Sequence, residues 1–455
     1  MAGRGVIMRL HAEFTMPYDR HFALSVLSPS AAVSFVLLFF LSIDHLPIPV
    51  QAQIIPLTSV LSLVFLPFVL KWRIPITPLL RIVTLFIGFV LLHSLVALLV
   101  DVFNGAGQIR VIAWGRQVIA LCLGIFVFLV LRETLKNVSD RFIIQAMAIG
   151  ALLPLALALF NMLWGFTGSA PAGAIVIHLR STLGLGSWPH RASGLSMEPA
   201  HFAFYLVIVA IPAFFMGLVT SKRKLLWFTL LAVSLVAFMG TFSTTGVIEL
   251  VGLLLAGALV SSKRYRFLNL ITLILLLIGG VLVTHLFPTN YAVVQLRHLL
   301  SGNWTVSAID RFYSTFGPFM RAFSSYTLLG YGLGGTSTHF RELMPESVQA
   351  SVASVHWATM PNLGSLIGRI LAESGLVGLF LFSMIFYAAL KEMKALTGSL
   401  LAHVALPVII AFLVGATVGG HGSFALPYLW FWLAVIDSRY MNQKTRWDNG
   451  YQNRP

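Results

Sequence analysis

Nine arginines in or close to alternate connections between the apolar segments of this chain are the residues best suited to chemistry. Every basic residue in these connections is an arginine, whereas all eight lysines lie in the other connections. A planar guanidinium binds two phosphate oxygens at once, which the compact ammonium group of lysine does not. The nine are Arg110, Arg116, Arg180, Arg191, Arg297, Arg311, Arg321, Arg341 and Arg369. The pattern favours an anionic ligand at one face of the protein, with solvated loop charges as the alternative.

Two carboxylates lie inside apolar segments, where a charge is costly and therefore informative. Glu249 stands about four residues into its segment, and Glu373 about nine residues into another. We predict that both face the interior of a helix bundle. Glu373 is one helical turn from Arg369, so the two interpretations are a structural ion pair and direct contact with a ligand.

The sequence contains no pattern typical of a metal or dinucleotide site. Its thirteen histidines lack the HExxH spacing of zinc sites, and Cys122 is the only cysteine. The string at residues 330–335 has the form GxGxxG, but a dinucleotide site needs that string between a strand and a helix. We therefore predict no metal and no cofactor, and we interpret these glycines as a tight turn.

The elements that position these residues are predicted to be membrane-spanning helices. Of 455 residues, 58% are hydrophobic and 10% are charged, and the mean hydropathy is +0.89. A soluble protein of this size needs more polar surface. Apolar runs that suit a bilayer span lie at residues 24–43, 54–70, 79–100, 117–131, 142–164, 201–219, 225–240, 246–260, 267–287, 365–390, 400–417 and 424–437. We predict an all-α polytopic integral membrane protein, with residues 1–455 forming one transmembrane domain of about twelve helices.

The distribution of lysine and arginine predicts the orientation of these helices. Of the 30 basic residues, 21 fall on the side that also holds both termini, and the positive-inside rule makes that side cytoplasmic. The net charge of +15 then reflects orientation and attraction to anionic membrane lipids. A nucleic-acid partner is not needed to explain it.

Two connections on the outer side are much longer than the others, and function is expected there. They cover residues 165–200 and residues 288–364, the second between helices nine and ten. In the second loop, aromatic residues recur at helical spacing at Phe312, Phe316, Phe319 and Phe323. This spacing predicts a short amphipathic helix on the membrane surface.

Four short strings in this chain resemble those of bacterial O-antigen polymerases, a family within the O-antigen polymerase/ligase superfamily. The string RASGLSMEPAHFA at residues 191–203 is similar to the family's R-x-x-G and E-P-x-x-x-A entry into a helix. GTFSTTG at residues 240–246, LGYGLG at residues 329–334 and LAESGLVG at residues 371–378 follow in the family's order. The large outer loop between helices nine and ten is also shared, so the resemblance covers most of the chain in topology.

This resemblance implies a glycosyltransferase of the bacterial inner membrane. Such an enzyme polymerises undecaprenyl-pyrophosphate-linked oligosaccharide repeat units into the O-antigen of lipopolysaccharide, or into a related surface polysaccharide, on the periplasmic face. The pyrophosphate already activates the sugar, so we expect neither a metal nor a nucleotide cofactor. We expect Arg191 and Arg311, followed by Arg321 and Arg369, to bind the pyrophosphate. A chain-length regulator protein is a further partner that the resemblance leaves open.

Four residues are candidates for the base that activates the acceptor hydroxyl: Glu198, His201, His356 and Glu373. Ligases of the superfamily carry a His-Asn pair about eleven residues before the glycine of the A-E-x-G string, where this chain has Gly364. This departure argues against a ligase acting on lipid A core and puts a histidine base in doubt. Glu198 and His201 become the leading candidates, although His201 also suits a purely interfacial position.

Three alternatives to a polymerase of this kind stay open: a ligase-type transferase, a transporter such as a lipid-linked oligosaccharide flippase, and a peptidoglycan-type polymerase. A transporter should show internal repeats with comparable loops in both halves. The halves of this chain differ, because the longer of the two large loops, residues 288–364, lies in the second half and has no counterpart of its size in the first. That asymmetry favours the transferase.

Overall fold

A computed structural model describes residues 28–46, 55–69, 74–189, 191–260, 315–320, 328–339, 363–396, 399–418 and 422–452, and the single residues 274, 285, 294, 297, 301 and 312. This part of the chain is helical and contains no strand. Five of its helices are long and apolar enough to cross a membrane. The described structure therefore agrees with the predicted all-α membrane protein.

The principal helices follow the order of the predicted spans. In chain order they are α1 (Pro29–Phe39), α2 (Leu57–Val69), α3 (Pro78–Phe103), α4 (Gly107–Leu135), α5 (Asp140–Thr167), α6 (Ala170–Thr182), α7 (Pro199–Thr220), α8 (Lys224–Gly240), α9 (Thr244–Val260), α10 (Leu366–Ala395), α11 (Leu400–Val418) and α12 (Pro427–Gln452). The five long apolar helices are α3, α4, α5, α7 and α10. Eleven predicted spans overlap a helix, and the remaining one, 267–287, lies outside the described residues except at 274 and 285. The total of twelve spans stays a prediction.

Three helical segments differ from the sequence-based expectation. α12 continues to Gln452, fifteen residues beyond the predicted end at residue 437. α4 begins at Gly107, well before the predicted start at residue 117, so that Arg110 lies on a helix. The added turns tolerate this charge because the Arg110 guanidinium pairs with Asp101 at the end of α3, at 2.6 Å. The connection 165–200 contains helix α6, where only a loop was expected.

Helix α7 lies at the centre of the bundle and contains one turn of π-helix at residues 206–210. Residues 202–210 are all fully buried. Pro212 has no N–H to donate to the carbonyl of Ile208 one turn earlier. The indole N–H of Trp432 on α12 donates to that carbonyl instead, at 3.0 Å. The π-turn thus lies directly before a proline, and the carbonyl freed by that proline joins α7 to α12.

Two ion pairs between helices, one buried and one half-buried, lie at one end of the bundle, here called the basic end. Arg132 on α4 pairs with Asp437 on α12, and Arg439 pairs with Asp140 at the start of α5, at 2.7 Å. These residues all belong to connections or helix ends that the sequence assigns to the lysine-bearing side. The charged residues of α3, α4 and α10 described next lie at the opposite end.

Candidate functional site

A break in helix α10 is the main irregularity of the backbone at the opposite end of the bundle. Gly375 has φ 63° and ψ −163°, so the helix is interrupted although residues on both sides are helical. The carbonyls of Ala372 and Glu373 lose their usual partners within α10. They accept the backbone N–H groups of Tyr331 and Gly332 instead, at 2.9 and 2.8 Å.

The glycine-rich segment 328–335 fills this break. The N–H of Val377, beyond the break, donates to the carbonyl of Leu328 at 3.2 Å. Gly334 has φ 70°, and a side chain there would meet the backbone of Ala113 on α4 at about 2.6 Å. The glycines predicted to form a tight turn therefore form one that is wedged between α4 and α10. Irregular backbone of this kind is tolerated between helices only where protein or a cavity satisfies it.

Glu373 lies at the break and is 1% exposed. The hydroxyl of Thr336 donates to its Oε1 at 2.9 Å, and the backbone N–H of Gly334 donates to the same carboxylate. Arg369, one turn earlier and also buried, interacts with it electrostatically, as does Arg110. We call Arg110, Thr336, Arg369 and Glu373 the break cluster. Both interpretations of Glu373, structural pair and ligand contact, are compatible with this arrangement.

Arg110 holds the glycine-rich segment in place. Its guanidinium donates to the carbonyls of Leu333 and Tyr331 at 2.6 and 3.0 Å, and to Asp101 at 2.6 Å. The imidazole of His339 stacks on the ring of Tyr331 with centroids 4.4 Å apart. The guanidinium of Arg110 thus bonds to groups of the protein itself, and Arg110 positions the glycine-rich segment at the cluster.

A second polar cluster surrounds the start of α7. Asp44, which follows α1, is fully buried and accepts the backbone N–H of Met197 at 2.8 Å. Its other carboxylate oxygen lies 3.1 Å from Nδ1 of His201. Glu198, the residue before α7, is half-buried and its side chain does not cap the helix. The structure therefore places His201 against Asp44, while Glu198 stands at the start of the same helix.

Arg180 on α6 holds the loop that precedes this cluster. Its guanidinium donates to the carbonyls of Gly186, Gly194, Ser196 and Met197 at 2.7 to 3.3 Å. Burial lowers the pKa of the Arg180 guanidinium to about 10, and the Asp44 carboxylate opposes that shift. Arg180 therefore keeps its charge at neutral pH, and that charge lies close to Asp44.

Arg191 joins the loop before α7 to the turn before α9. Its guanidinium donates to the carbonyls of Thr241 and Phe242 at 2.9 and 3.3 Å. The N–H of Ala192 donates to the carbonyl of Gly240 at 2.8 Å. This residue, predicted to bind pyrophosphate, thus has a positioning role in the described structure as well.

Of the other predicted site residues and carboxylates inside apolar segments, one is buried and three lie outside the described part of the chain. Glu249 is fully buried, as predicted, and contacts Gly415 on α11. The adjacent Ala416 accepts the hydroxyl of Ser365, at the start of α10, at 2.8 Å. The predicted site residues that lie outside the described part of the chain are Arg311, Arg321 and His356.

Only a small part of the large outer loop is described. Residues 315–320 are helical, and the rings of Phe312 and Phe316 are 5.1 Å apart, which agrees with the predicted helical spacing. The carbonyl of Thr315 approaches Gly368 at the start of α10. This segment therefore packs on the same helix that carries the break cluster.

Sequence reasoning missed Asp44, Asp101 and Thr336. Asp44 and Asp101 each follow or end an apolar run, which was a usable signal, whereas Thr336 has no distinguishing feature. Among the residues that the structure describes, no group of three or more His, Cys, Asp and Glu could hold a metal ion.

We expect Asp44→Ala to destabilise the protein by about 1–3 kcal/mol, because it leaves the buried N–H of Met197 without its acceptor. Asp44→Asn keeps an oxygen for that N–H and should cost less. Thermal unfolding of the purified protein in detergent compares the two. Equal midpoints for Asp44→Ala and the unmodified protein would contradict the buried contact.

Comparison with protein-family models and with curated protein sequences found no match to this chain.

Proposed function

We propose that this protein is a membrane glycosyltransferase that polymerises undecaprenyl-pyrophosphate-linked oligosaccharide repeat units on the periplasmic face of the bacterial inner membrane. One observation carries the proposal: the four strings that resemble O-antigen polymerases meet in two pairs. The string at 191–203 contacts the string at 240–246 through Arg191 and Ala192. The string at 329–334 pairs with the string at 371–378 across the break in α10. Each unit thus joins two strings that are distant in sequence, which supports a shared role for the strings of each pair.

The proposed reaction transfers the growing glycan to the next repeat unit. The acceptor hydroxyl attacks the anomeric carbon of the lipid-linked donor, the bond from that carbon to the pyrophosphate breaks, and undecaprenyl pyrophosphate leaves. A carboxylate takes the proton of the hydroxyl, and arginine stabilises the charge on the leaving pyrophosphate. In a site shielded from water both effects are stronger than in solution.

The break cluster supports assigning these roles to Glu373 and Arg369. Both are buried, and the Arg369 guanidinium interacts electrostatically with the Glu373 carboxylate one helical turn later. Arg191, Arg311 and Arg321 remain proposed pyrophosphate contacts, and Glu198, His201 and His356 remain alternative bases. Asp44 joins this proposal as the partner that orients the imidazole of His201.

A lipid-linked oligosaccharide flippase is the second candidate, and the broken helix α10 favours it. Transporters place their substrate and ion sites at interrupted helices that carry buried carboxylates. Glu373, buried at the break in α10, fits that description. The two functions differ in the product that accumulates when the gene is removed.

Deleting the gene in the source bacterium tests the proposal. A polymerase predicts that surface polysaccharide ladders collapse to single repeat units, while export of those units continues. Repeat units that accumulate only on the cytoplasmic side would favour the flippase. An unchanged ladder would reject both functions.

The orientation is tested by labelling with an impermeant thiol reagent in a Cys122→Ala background. We expect a cysteine at position 311 to react in intact spheroplasts, because the arginine-only side is predicted to face the periplasm. A cysteine at position 222 should react only after the membrane is permeabilised. The reverse pattern would overturn the proposed topology.

A further inference from the structure

A crevice at the basic end of the bundle has features of a binding site. It has a volume of about 500 Å³ and lies between the start of α3 and the C-terminal parts of α10 and α12. Three cationic side chains line it, one from each helix: Arg81, Lys391 and Lys444. All three are exposed. The crevice is thus open to a ligand, and positive charges from three separate helices face it.

The acidic groups near this crevice are engaged elsewhere. Glu392, next to Lys391, is buried and accepts the backbone N–H of Leu79 at 2.8 Å. Asp437 pairs with Arg132 inside the bundle. None of the carboxylates in the described residues forms an ion pair with the three cations of the crevice. Its positive charge is therefore available to an anion from outside the protein.

The walls between these cations are largely apolar. Ile82 and Met384 line the crevice, and the rings of Tyr387 and Tyr440 border it. Tyr387 is 62% exposed, and tyrosine is enriched where helices leave the hydrocarbon core of a bilayer. A ligand that matches both features carries a phosphate and an adjoining hydrocarbon chain, which a free phosphate lacks.

The helix N-terminus at this crevice does not itself offer a phosphate site. The N–H of Leu79 is taken by Glu392, and the N–H of Leu80 by the Thr77 hydroxyl at 3.1 Å. Side chains rather than the helix end must hold the anion. Basic pockets between membrane helices bind anionic lipid headgroups in this way.

We propose that this crevice binds one anionic phospholipid, with its phosphate between Arg81, Lys391 and Lys444 and an acyl chain along Ile82 and Met384. The lipid would bridge α3, α10 and α12. Because α10 also carries the break cluster, the bound lipid would support the helix on which Glu373 lies. The binding itself depends only on the residues of the crevice and not on the proposed transferase activity.

Binding of fluorescent phosphatidylglycerol to the full-length protein in neutral detergent tests the proposal. We expect Lys391→Gln/Lys444→Gln to weaken lipid binding roughly 30-fold. Each basic residue near a membrane surface contributes about a fivefold increase in affinity for anionic lipid, and the variant removes two. Lys222→Gln/Arg223→Gln removes the same charge from another exposed connection of the predicted cytoplasmic side and should bind normally. Lys391→Arg/Lys444→Arg keeps the charge and should bind within a fewfold of the unmodified protein.

Four outcomes would overturn the site. If both glutamine variants lost lipid affinity equally, the lipid would be held by diffuse attraction to the positive surface. If phosphatidylcholine with the same acyl chains bound as tightly as phosphatidylglycerol, the headgroup charge would have no role. Competition by glycerol 3-phosphate at the concentration of the lipid would indicate a site for free phosphate. Loss of binding in the arginine variant, with its elution and thermal midpoint unchanged, would show that the charges are not what binds the lipid.

Discussion

Glu373→Gln is expected to reduce polymer formation by roughly 100-fold or more at matched protein level. Glutamine keeps the size of the side chain and can still accept the hydroxyl of Thr336, which lies 2.9 Å from Oε1 in the structure. It cannot take a proton from an acceptor hydroxyl. The length distribution of surface polysaccharide in cells carrying the variant, normalised to membrane protein level, measures the effect.

A purely structural role for Glu373 makes a different prediction. Loss of its charge would leave Arg369 buried without compensation, at a cost of about 3–5 kcal/mol. In that case Arg369→Gln/Glu373→Gln, which removes both charges, should restore stability and polymer length together. A role in the reaction predicts that stability returns and the ladder does not.

Thr336→Val serves as the matched control for this experiment. It removes one hydrogen bond to Glu373 and leaves the carboxylate in place, so we expect less than about tenfold loss of polymer. A normal ladder in Glu373→Gln cells would remove Glu373 from the proposed site.

Gly375→Ala should prevent the protein from reaching its native structure in normal yield. The backbone at Gly375, with φ 63° and ψ −163°, lies in a region that essentially only glycine adopts. A Cβ there would also lie 2.3 Å from the carbonyl oxygen of Leu328. Strain and overcrowding together cost about 2–6 kcal/mol. Size-exclusion chromatography of a fluorescent fusion measures the folded fraction.

Gly88→Ala is the control for that substitution. Gly88 lies within α3, and a Cβ built there meets no atom within 4 Å, so alanine should be neutral or stabilise the helix by up to about 1 kcal/mol. Equal yields for the two variants would show that the break in α10 does not require glycine.

The helices were predictable because each depends on local composition. The apolar run at 365–390, for example, marks α10 within a few residues of its observed bounds. Its break was not predictable, because Gly375 is one glycine among several in an apolar segment, and glycine is common in membrane helices. N–H and carbonyl groups of residues 328–332, far away in the chain, bond the backbone at the interruption.

The candidate site was predictable only where local composition determines it. Burial of Glu249 and Glu373 follows from the cost of a charge inside an apolar segment. The partners of buried charges depend on packing between distant segments, as in the contact of Asp44 with His201. Arg110 stood out only as one of nine arginines, and its hold on the glycine-rich segment required the fold to be seen.

Reconstitution of the purified protein with a defined lipid-linked repeat unit tests the central claim most directly. Proteoliposomes would receive undecaprenyl-pyrophosphate-linked units, and the products would be separated by length. The proposed function predicts oligomers of increasing length, with one undecaprenyl pyrophosphate released per bond formed, and their absence in Glu373→Gln proteoliposomes. Movement of the unit across the bilayer without elongation or release would contradict the transferase and establish a transporter.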